Sequence, residues 1–189
     1  MDEDQEDDEG QGMQENIEVQ SESDYATDSD SDAAFVHTTA LISNSSIPFA
    51  TLGHELHTSV ILAIQPKFMG MIVNQIKNHD FRKYRLHSEV TKIWFYQITP
   101  ILAITHLAIT QGFKTSGEVC DSTGLGNDEF DQGLKNSNYG YLILSLYQLQ
   151  STISKEILEE HSDWSGESLL YPDTSLTQLL NDQHLIQLF

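Results

Sequence analysis

Cysteine and positive charge are what this 189-residue sequence has least of. Cys120 is the only cysteine, which excludes an internal disulfide framework and is typical of a reducing compartment. The chain has nine Lys and Arg against 29 Asp and Glu, a net charge of −20, and no base precedes Lys67. Any cationic site must therefore be built from a few residues in the last two thirds of the chain.

The acidic residues are concentrated at the N-terminus, where residues 1–32 carry 14 of the 29. Ordering a chain costs about 1–2 kcal/mol per residue, and this stretch has too few apolar residues to offset that cost. We therefore expect residues 1–33 to form a disordered acidic arm and residues 34–57 a Ser/Thr-rich lead-in. Residues 58–160 are predicted to form the core domain, and residues 161–189 an acidic segment with a C-terminal amphipathic helix.

Residues 93–110 form a largely apolar run of 18 positions without Asp, Glu, Lys or Arg. That run approaches the length of a membrane span, but Gln97, Pro100 and His106 interrupt it. Two buried helices joined at the proline are the preferred interpretation. Since the N-terminus lacks a cationic start followed by an apolar run, we expect a cytoplasmic or nuclear protein that is not secreted and does not span a membrane.

Helical spacing of apolar residues dominates the rest of the chain and predicts a mainly α, small helical domain with room for one short strand pair. Pro66 is suited to a first helical turn, and apolar residues follow it on one face up to Ile76. Residues 58–64 fit either a strand or the start of a helix. The further predicted helices lie near 84–97, 100–111, 127–134 and 140–160.

No enzyme signature is complete, so we predict a protein without enzymatic activity, cofactor or metal. His54 and His57 are three apart, whereas the zinc-protease helix motif needs four. Cys120 has no neighbouring cation that would lower its pKa. The Gly-x-Gly at residues 124–126 lacks the third glycine and the lysine of a phosphate-binding loop.

Five of the nine bases fall within residues 76–92, interleaved with aromatic side chains. Bases that bind phosphates and aromatic rings that stack on nucleobases are the components of a single-strand binding site. An acidic protein partner or a merely solvated helix face are the alternatives. The candidate contact residues are Lys77, Arg82, Lys83, Tyr84, Arg85 and Lys92.

Two further segments suggest regulation or docking. Ser21, Thr27 and Ser29 each precede an acid by three residues, the pattern that acid-directed kinases favour, and are the candidate phosphorylation sites. At the C-terminus an amphipathic stripe could dock a partner or pack back on the core. Its candidate docking residues are Leu179, Leu180, Gln183, Ile186 and Phe189.

In overall plan the chain resembles the phosphoproteins of negative-strand RNA viruses, in which an acidic serine-bearing arm precedes a compact helical module. This resemblance implies a viral or nuclear phosphoprotein. We expect a non-enzymatic acidic adaptor of a nucleic-acid-handling complex, with a protein partner that has a basic surface and single-stranded RNA as a further ligand. The alternative is a self-assembling structural protein, such as a viral matrix or accessory component, that forms homo-oligomers through a helix at residues 142–157.

Overall fold

The computed structural model describes residues 57–164, 166 and 169–189, and it is organised around one mixed seven-stranded sheet. Four short helices accompany the strands. In chain order the elements are β1 (Ser59–Ile64), α1 (Pro66–Val73), β2 (His79–Arg82), β3 (Lys92–Gln97), β4 (Ala103–Lys114), α2 (Asn127–Asp131), β5 (Tyr139–Ser154), α3 (Lys155–His161), β6 (Leu169–Leu170), α4 (Thr174–Asn181) and β7 (Leu185–Gln187).

The long antiparallel pair of β4 and β5 forms the centre of the sheet. The strand order is β2-β5-β4-β3-β1-β6, and β7 pairs with β5. Only β1 and β3 pair in parallel, because the connection between them passes through α1 and β2. β6 and β7 of the C-terminal segment join this same sheet, and the helix α4 lies between them in the chain.

Both faces of the sheet are covered, which divides the core into two layers. One layer lies under α1 and contains Met69 and Ile72 together with Val60, Phe95 and Leu146. The opposite layer packs under α3 and α4 and includes the large buried side chains Trp94 and Tyr96. A third, small cluster forms beneath the 115–138 connection from Phe81, Val119 and Phe130.

The predicted helical domain is wrong, because the described part of the chain is mainly β-sheet. The expected helices at 84–97 and 100–111 are instead β3 and β4, and most of 140–160 is β5. Residues 58–64, left open between strand and helix, form β1. The helix that begins at Pro66 is confirmed, although it ends at Val73, and the short helix near 127–134 is confirmed as Asn127–Asp131.

The error has a physical cause in the burial of the central strands. Along β4 the residues from Ala103 to Ala108 are all buried, so no polar alternation marks them as a strand. A strand buried on both faces and a helix buried all round have the same apolar appearance in sequence. The nearly all-round apolar character of residues 100–111 therefore predicts a helix, although Ile104 and Leu107 belong to a strand.

Two further expectations depended on the helical fold. The resemblance to viral phosphoproteins required a compact helical module; the sheet removes that basis, and the description as a viral phosphoprotein with a helical domain is wrong. The homo-oligomer helix at 142–157 is likewise replaced by β5 and the start of α3. Within the described residues, no helix has the length and apolar character needed to cross a bilayer.

A substitution at Gly140 tests how closely β2 packs against β5. A methyl group at this position would lie 3.0 Å from Phe81, whose ring is held by Phe130 at a 4.5 Å centroid separation and cannot retreat. We expect Gly140→Ala to lower the free energy of unfolding by about 1–3 kcal/mol, as overpacked core substitutions do. Urea denaturation followed by tryptophan fluorescence measures the change.

The matched control is Gly70→Ala in α1, where the added methyl group meets nothing within 4 Å. Replacing a helical glycine by alanine there should stabilise the protein by about 0.5–1 kcal/mol. Equal effects of the two substitutions would contradict the packing of Phe81 against Gly140.

Candidate nucleic-acid interface

The predicted basic segment folds as β2 and the irregular stretch that follows it, at one end of the β4–β5 pair. Phe81 of β2 lies opposite Gly140, and Arg82 opposite Tyr139. At the same end of the sheet, Lys114 of β4 also lies opposite Gly140. Residues from 81–85, 113–114 and 139–140 therefore meet although they are far apart in sequence.

The exposed part of this meeting point combines two cations with two aromatic rings, and we call it the basic-aromatic surface: Lys83, Arg85, Phe113 and Tyr139. The guanidinium carbon of Arg85 lies 4.5 Å from the centroid of the Phe113 ring. That ring meets Tyr139 edge-on, with centroids 5.1 Å apart and an interplanar angle of 90°. Lys83 and Arg85 are exposed, while the two rings are half-buried. A cation stacked on a partly exposed ring can meet a phosphate while the neighbouring ring accepts a base.

The backbone around Lys83 is fixed by the neighbouring loop. Asn138 donates its side-chain amide to the Lys83 carbonyl at 2.9 Å and its backbone N–H to the Arg82 carbonyl at 2.9 Å. Further along, the Leu86 N–H donates to the Tyr141 hydroxyl at 2.7 Å. Burial raises the pKa of Tyr141 to about 12, so that hydroxyl stays protonated. The exposed cations thus project from a segment whose main chain is anchored on both sides.

Three of the predicted contact residues turn inward instead. The Arg82 guanidinium donates to Asp80 at 2.8 Å, with side-chain exposures of 16% and 6%. Burial works against the charge of Arg82, but Asp80 and Tyr84 more than compensate and raise its pKa. Burial in turn raises the pKa of Tyr84. Lys77 is only 4% exposed.

A second group of cations borders α1 and the 115–138 connection, where lysines alternate with phenylalanine rings. Lys67 lies 4.8 Å from the Phe68 ring, and Lys77 lies 5.7 Å from Phe68 and 4.6 Å from Phe81. The Nζ atom of Lys135 also lies near Phe81, 5.2 Å from the ring centroid. Lys77 is thus buried between a ring of α1 and a ring of β2.

A partly buried polar network links β2 to the glycine-rich connection. Asn78 donates to the Asp121 carboxylate at 2.8 Å, and Asn127 donates to the Asn78 carbonyl oxygen at 3.0 Å. The His79 Nδ1 lies 2.8 Å from the same oxygen. Gly124 packs directly against Asn78, so any side chain there would collide with the network. The first glycine of the Gly-x-Gly is thus a packing requirement in this network.

His79 illustrates how strongly this network is enclosed. Its side chain is 1% exposed. Burial, reinforced by the Lys114 cation, lowers the pKa of His79 to about 4. The neutral ring therefore donates from Nδ1 to Asn78, and its Nε2 is left without a hydrogen-bond partner among the described residues.

The remaining predicted residues are dispersed. Lys92 begins β3, separated from β2 by β4 and β5. Ser21, Thr27 and Ser29 lie outside the described residues, as does His54. Among the described residues, no group of three or more His, Cys, Asp or Glu is placed to hold a metal ion.

The C-terminal stripe splits between core and surface. Leu180 is 1% exposed, while Leu179 packs against the layer beneath α4. Gln183 donates its side-chain amide to the Leu179 carbonyl at 2.8 Å. Phe189 packs against the opposite layer, whereas Ile186 of β7 is 47% exposed. Of the five docking candidates, only Ile186 is exposed to solvent.

Sequence reasoning missed Phe113, Lys114, Lys135 and Tyr139 as members of the region. The signal was present: aromatic residues stand at both ends of the glycine-rich 114–140 stretch, next to a lysine on one side. Reading the flanking stretches as helices hid it, because only an antiparallel strand pair brings residues 113 and 139 to the same place.

Comparison with known proteins supports the fold but not a family by sequence. No family model matches the chain, and no curated protein matches it. The solved structure of ASCH from Zymomonas mobilis matches with a TM-score of 0.55 and 16% identity, over 68% of this chain and 97% of that one. Structures of two single-substitution variants of that protein match with TM-scores of 0.54 and 0.55, each at 16% identity, over 68% and 67% of this chain and 99% of each. The described chain therefore shares the fold of ASCH.

The two buried histidines make stability depend on pH. Burial also lowers the pKa of His106, at the centre of β4, to about 4. Between pH 6.5 and 4 the unfolded chain binds protons at His79 and His106 that the folded chain does not, so stability falls as the pH falls through this window. Each pKa unit corresponds to about 1.4 kcal/mol, so the loss is at most about 3.5 kcal/mol for each histidine.

Urea denaturation at pH 7.5, 6, 5 and 4 measures this loss. His106→Gln should remove only its own share of the dependence, because His79 is still present. His184→Gln, at an exposed position, is the control. A free energy of unfolding that stays constant from pH 6.5 to 4 would rule out neutral, enclosed rings.

Proposed function

We propose that this protein is a non-enzymatic adaptor of the cytoplasm or nucleus whose folded domain binds single-stranded RNA through the basic-aromatic surface. The observation that carries the proposal is the stacking of Arg85 on Phe113, with Tyr139 edge-on to that ring. Lys83 is exposed two residues earlier, and its carbonyl is bound by Asn138, the neighbour of Tyr139. Phosphates require exposed cations, and unpaired bases require ring faces; this surface supplies both within one anchored segment.

The arrangement favours single strands over duplexes. An RNA duplex keeps its bases stacked inside and offers chiefly phosphates and hydroxyls, which Phe113 and Tyr139 cannot use. A single strand can place a base on a ring while two phosphates reach Lys83 and Arg85. The acidic N-terminal residues would then engage a separate protein partner that has a basic surface.

A second candidate function, self-assembly, is supported by a different observation. Leu144, Leu185, Ile186 and Leu188 are all exposed, and β5 and β7 bring them to one margin of the sheet. Exposed apolar side chains along a short strand can pair with a second chain. Sedimentation at increasing concentration tests this, since a chain that stays monomeric throughout would exclude it.

RNA binding is tested by titrating a fluorescein-labelled oligouridine of about 12 nucleotides and following anisotropy at about 50 to 200 mM salt. For the full-length chain we expect salt-sensitive binding. The double substitution Lys83→Ala/Arg85→Ala should reduce the slope of log affinity against log salt by about 1.4, or 0.7 for each lost phosphate contact. Lys155→Ala, which removes a cation that pairs with Glu159 on α3, is the matched control and should bind as the parent does.

Two variants separate charge from stacking. Arg85→Lys keeps the charge but loses the planar group on Phe113, so it should weaken binding with little change in salt slope. Tyr139→Leu keeps apolar volume and removes a stacking ring, at a cost of about 1–3 kcal/mol if one base stacks there. Because the 14 acids of residues 1–32 repel RNA, a full-length chain with all of them changed to amides is titrated alongside. Absence of salt-sensitive binding in both chains would refute the proposal.

A further inference from the structure

The basic-aromatic surface has unsatisfied positive charge within a strongly acidic protein. Within the described residues neither Lys83 nor Arg85 forms an ion pair, while Arg82 next to them is neutralised by Asp80. Between residues 83 and 91 the only acidic residue is Glu89. A surface of this kind attracts whichever anionic segment has the highest local concentration.

The chain itself carries such a segment, and the fold begins close to the surface. His57, the first described residue, lies with its ring 5.5 Å from the ring of His87, two residues beyond Arg85. Its ring is also 4.9 Å from that of Tyr171, whose hydroxyl accepts the His87 N–H at 2.8 Å. The N-terminal residues are therefore tethered next to the 83–87 stretch.

The length of the tether is sufficient. Residues 33–56 can span at most about 80 Å when fully extended, far more than the separation from His57 to the surface requires. Because the connection is intramolecular, the local concentration of residues 1–32 at the surface is high without any partner chain.

Residues 1–32 supply both kinds of group that the surface can bind, which are carboxylates for its cations and an aromatic ring for its rings. The segment contains 14 carboxylates and no base. Tyr25 is its only aromatic residue, and Glu22, Asp24 and Asp28 flank it. A ring with anionic groups on both sides resembles, in charge and shape, a nucleotide between two phosphates.

We propose that residues 1–32 dock on the basic-aromatic surface of the same chain, with carboxylates on Lys83 and Arg85 and the Tyr25 ring against Phe113 and Tyr139. The segment occupies the site that RNA uses, so RNA must displace it. This inference rests on the proposed function for its consequence, but the intramolecular contact itself can be measured without RNA.

The contact is tested by zero-length carbodiimide crosslinking of the full-length chain, followed by mass spectrometry of peptides that join residues 1–32 to a lysine. We expect Lys83 to be joined to this segment several-fold more often than Lys155, and the preference to vanish at about 1 M salt, where the Debye length is about 3 Å. Lys155 is the matched comparison because its side chain is also accessible, at 39%. Equal yields at Lys83 and Lys155 would overturn the inference.

The consequence is tested in the oligouridine titration at low salt. The full-length chain with its 14 carboxylates changed to amides should bind about 5- to 150-fold more tightly than the parent, the usual range of coupling between two sites. Tyr25→Ala should give part of this gain, whereas Met13→Ala, in the same segment, should give none. A gain without preferred crosslinks to Lys83 would mean general repulsion and would overturn docking.

The two proposals can fail separately. Preferred crosslinks to Lys83 combined with no RNA binding by the amide chain would leave the intramolecular contact standing and refute RNA binding. Unchanged RNA affinity in the amide chain combined with no preferred crosslink would refute docking and leave RNA binding standing.

Discussion

The antiparallel pairing of β4 with β5 is the constraint on which the rest of the structure depends. Its register runs from Ala103 opposite Ser154 to Lys114 opposite Gly140. β2 and β7 attach to β5, β3 attaches to β4, and β1 and then β6 extend the sheet beyond β3. β2 can join the outer side of β5 only where Gly140 leaves room for the Phe81 ring. The position of the basic segment, two residues beyond Phe81, thus follows from a glycine in a different strand.

Local signals in the sequence were sufficient to predict short elements that begin at a residue with a strong conformational preference. Pro66 fixes the dihedral angle of a first helical turn, and α1 begins there. The acidic start of α2 after Gly126 is a similar mark. Such features act within a few residues, so they can be read without knowing what lies across the sheet.

The long strands could not be predicted in this way because the pattern of their buried residues depends on how they pair with neighbouring strands. In β5 the register shifts at Leu144, so Ile143 and Leu146 face the same core layer although an uninterrupted strand would place them on opposite faces. Bulges of this kind replace a spacing of two by a spacing of three. The spacing of Leu142, Leu146, Leu149, Ile153 and Ile157 predicts a helix face, but Leu146 packs in one layer and Leu149 and Ile153 in the other.

In the candidate site, too, some features can be predicted from the local sequence and others depend on strand pairing. Composition was enough to point to residues 76–92 as the place where cations meet aromatic rings. It could not tell which cations remain exposed, because Arg82 meets Asp80 two residues away and Lys77 enters the space between two rings. Nor could it supply Phe113 and Tyr139, which only the strand pairing brings beside Arg85.

A net charge of −20 is compatible with a nucleic-acid site because electrostatics at working salt is local. The Debye length is about 8 Å at physiological ionic strength, so charges on α3 or α4 act weakly on a phosphate held at Lys83. The general acidity instead suppresses nonspecific binding, which depends on extended positive surfaces. Under the proposed function, what remains favourable is a short contact in which stacking supplies much of the free energy. The position of Arg85 over the Phe113 ring fits that balance. If the proposed docking of residues 1–32 holds, their carboxylates would compete with RNA for the same surface.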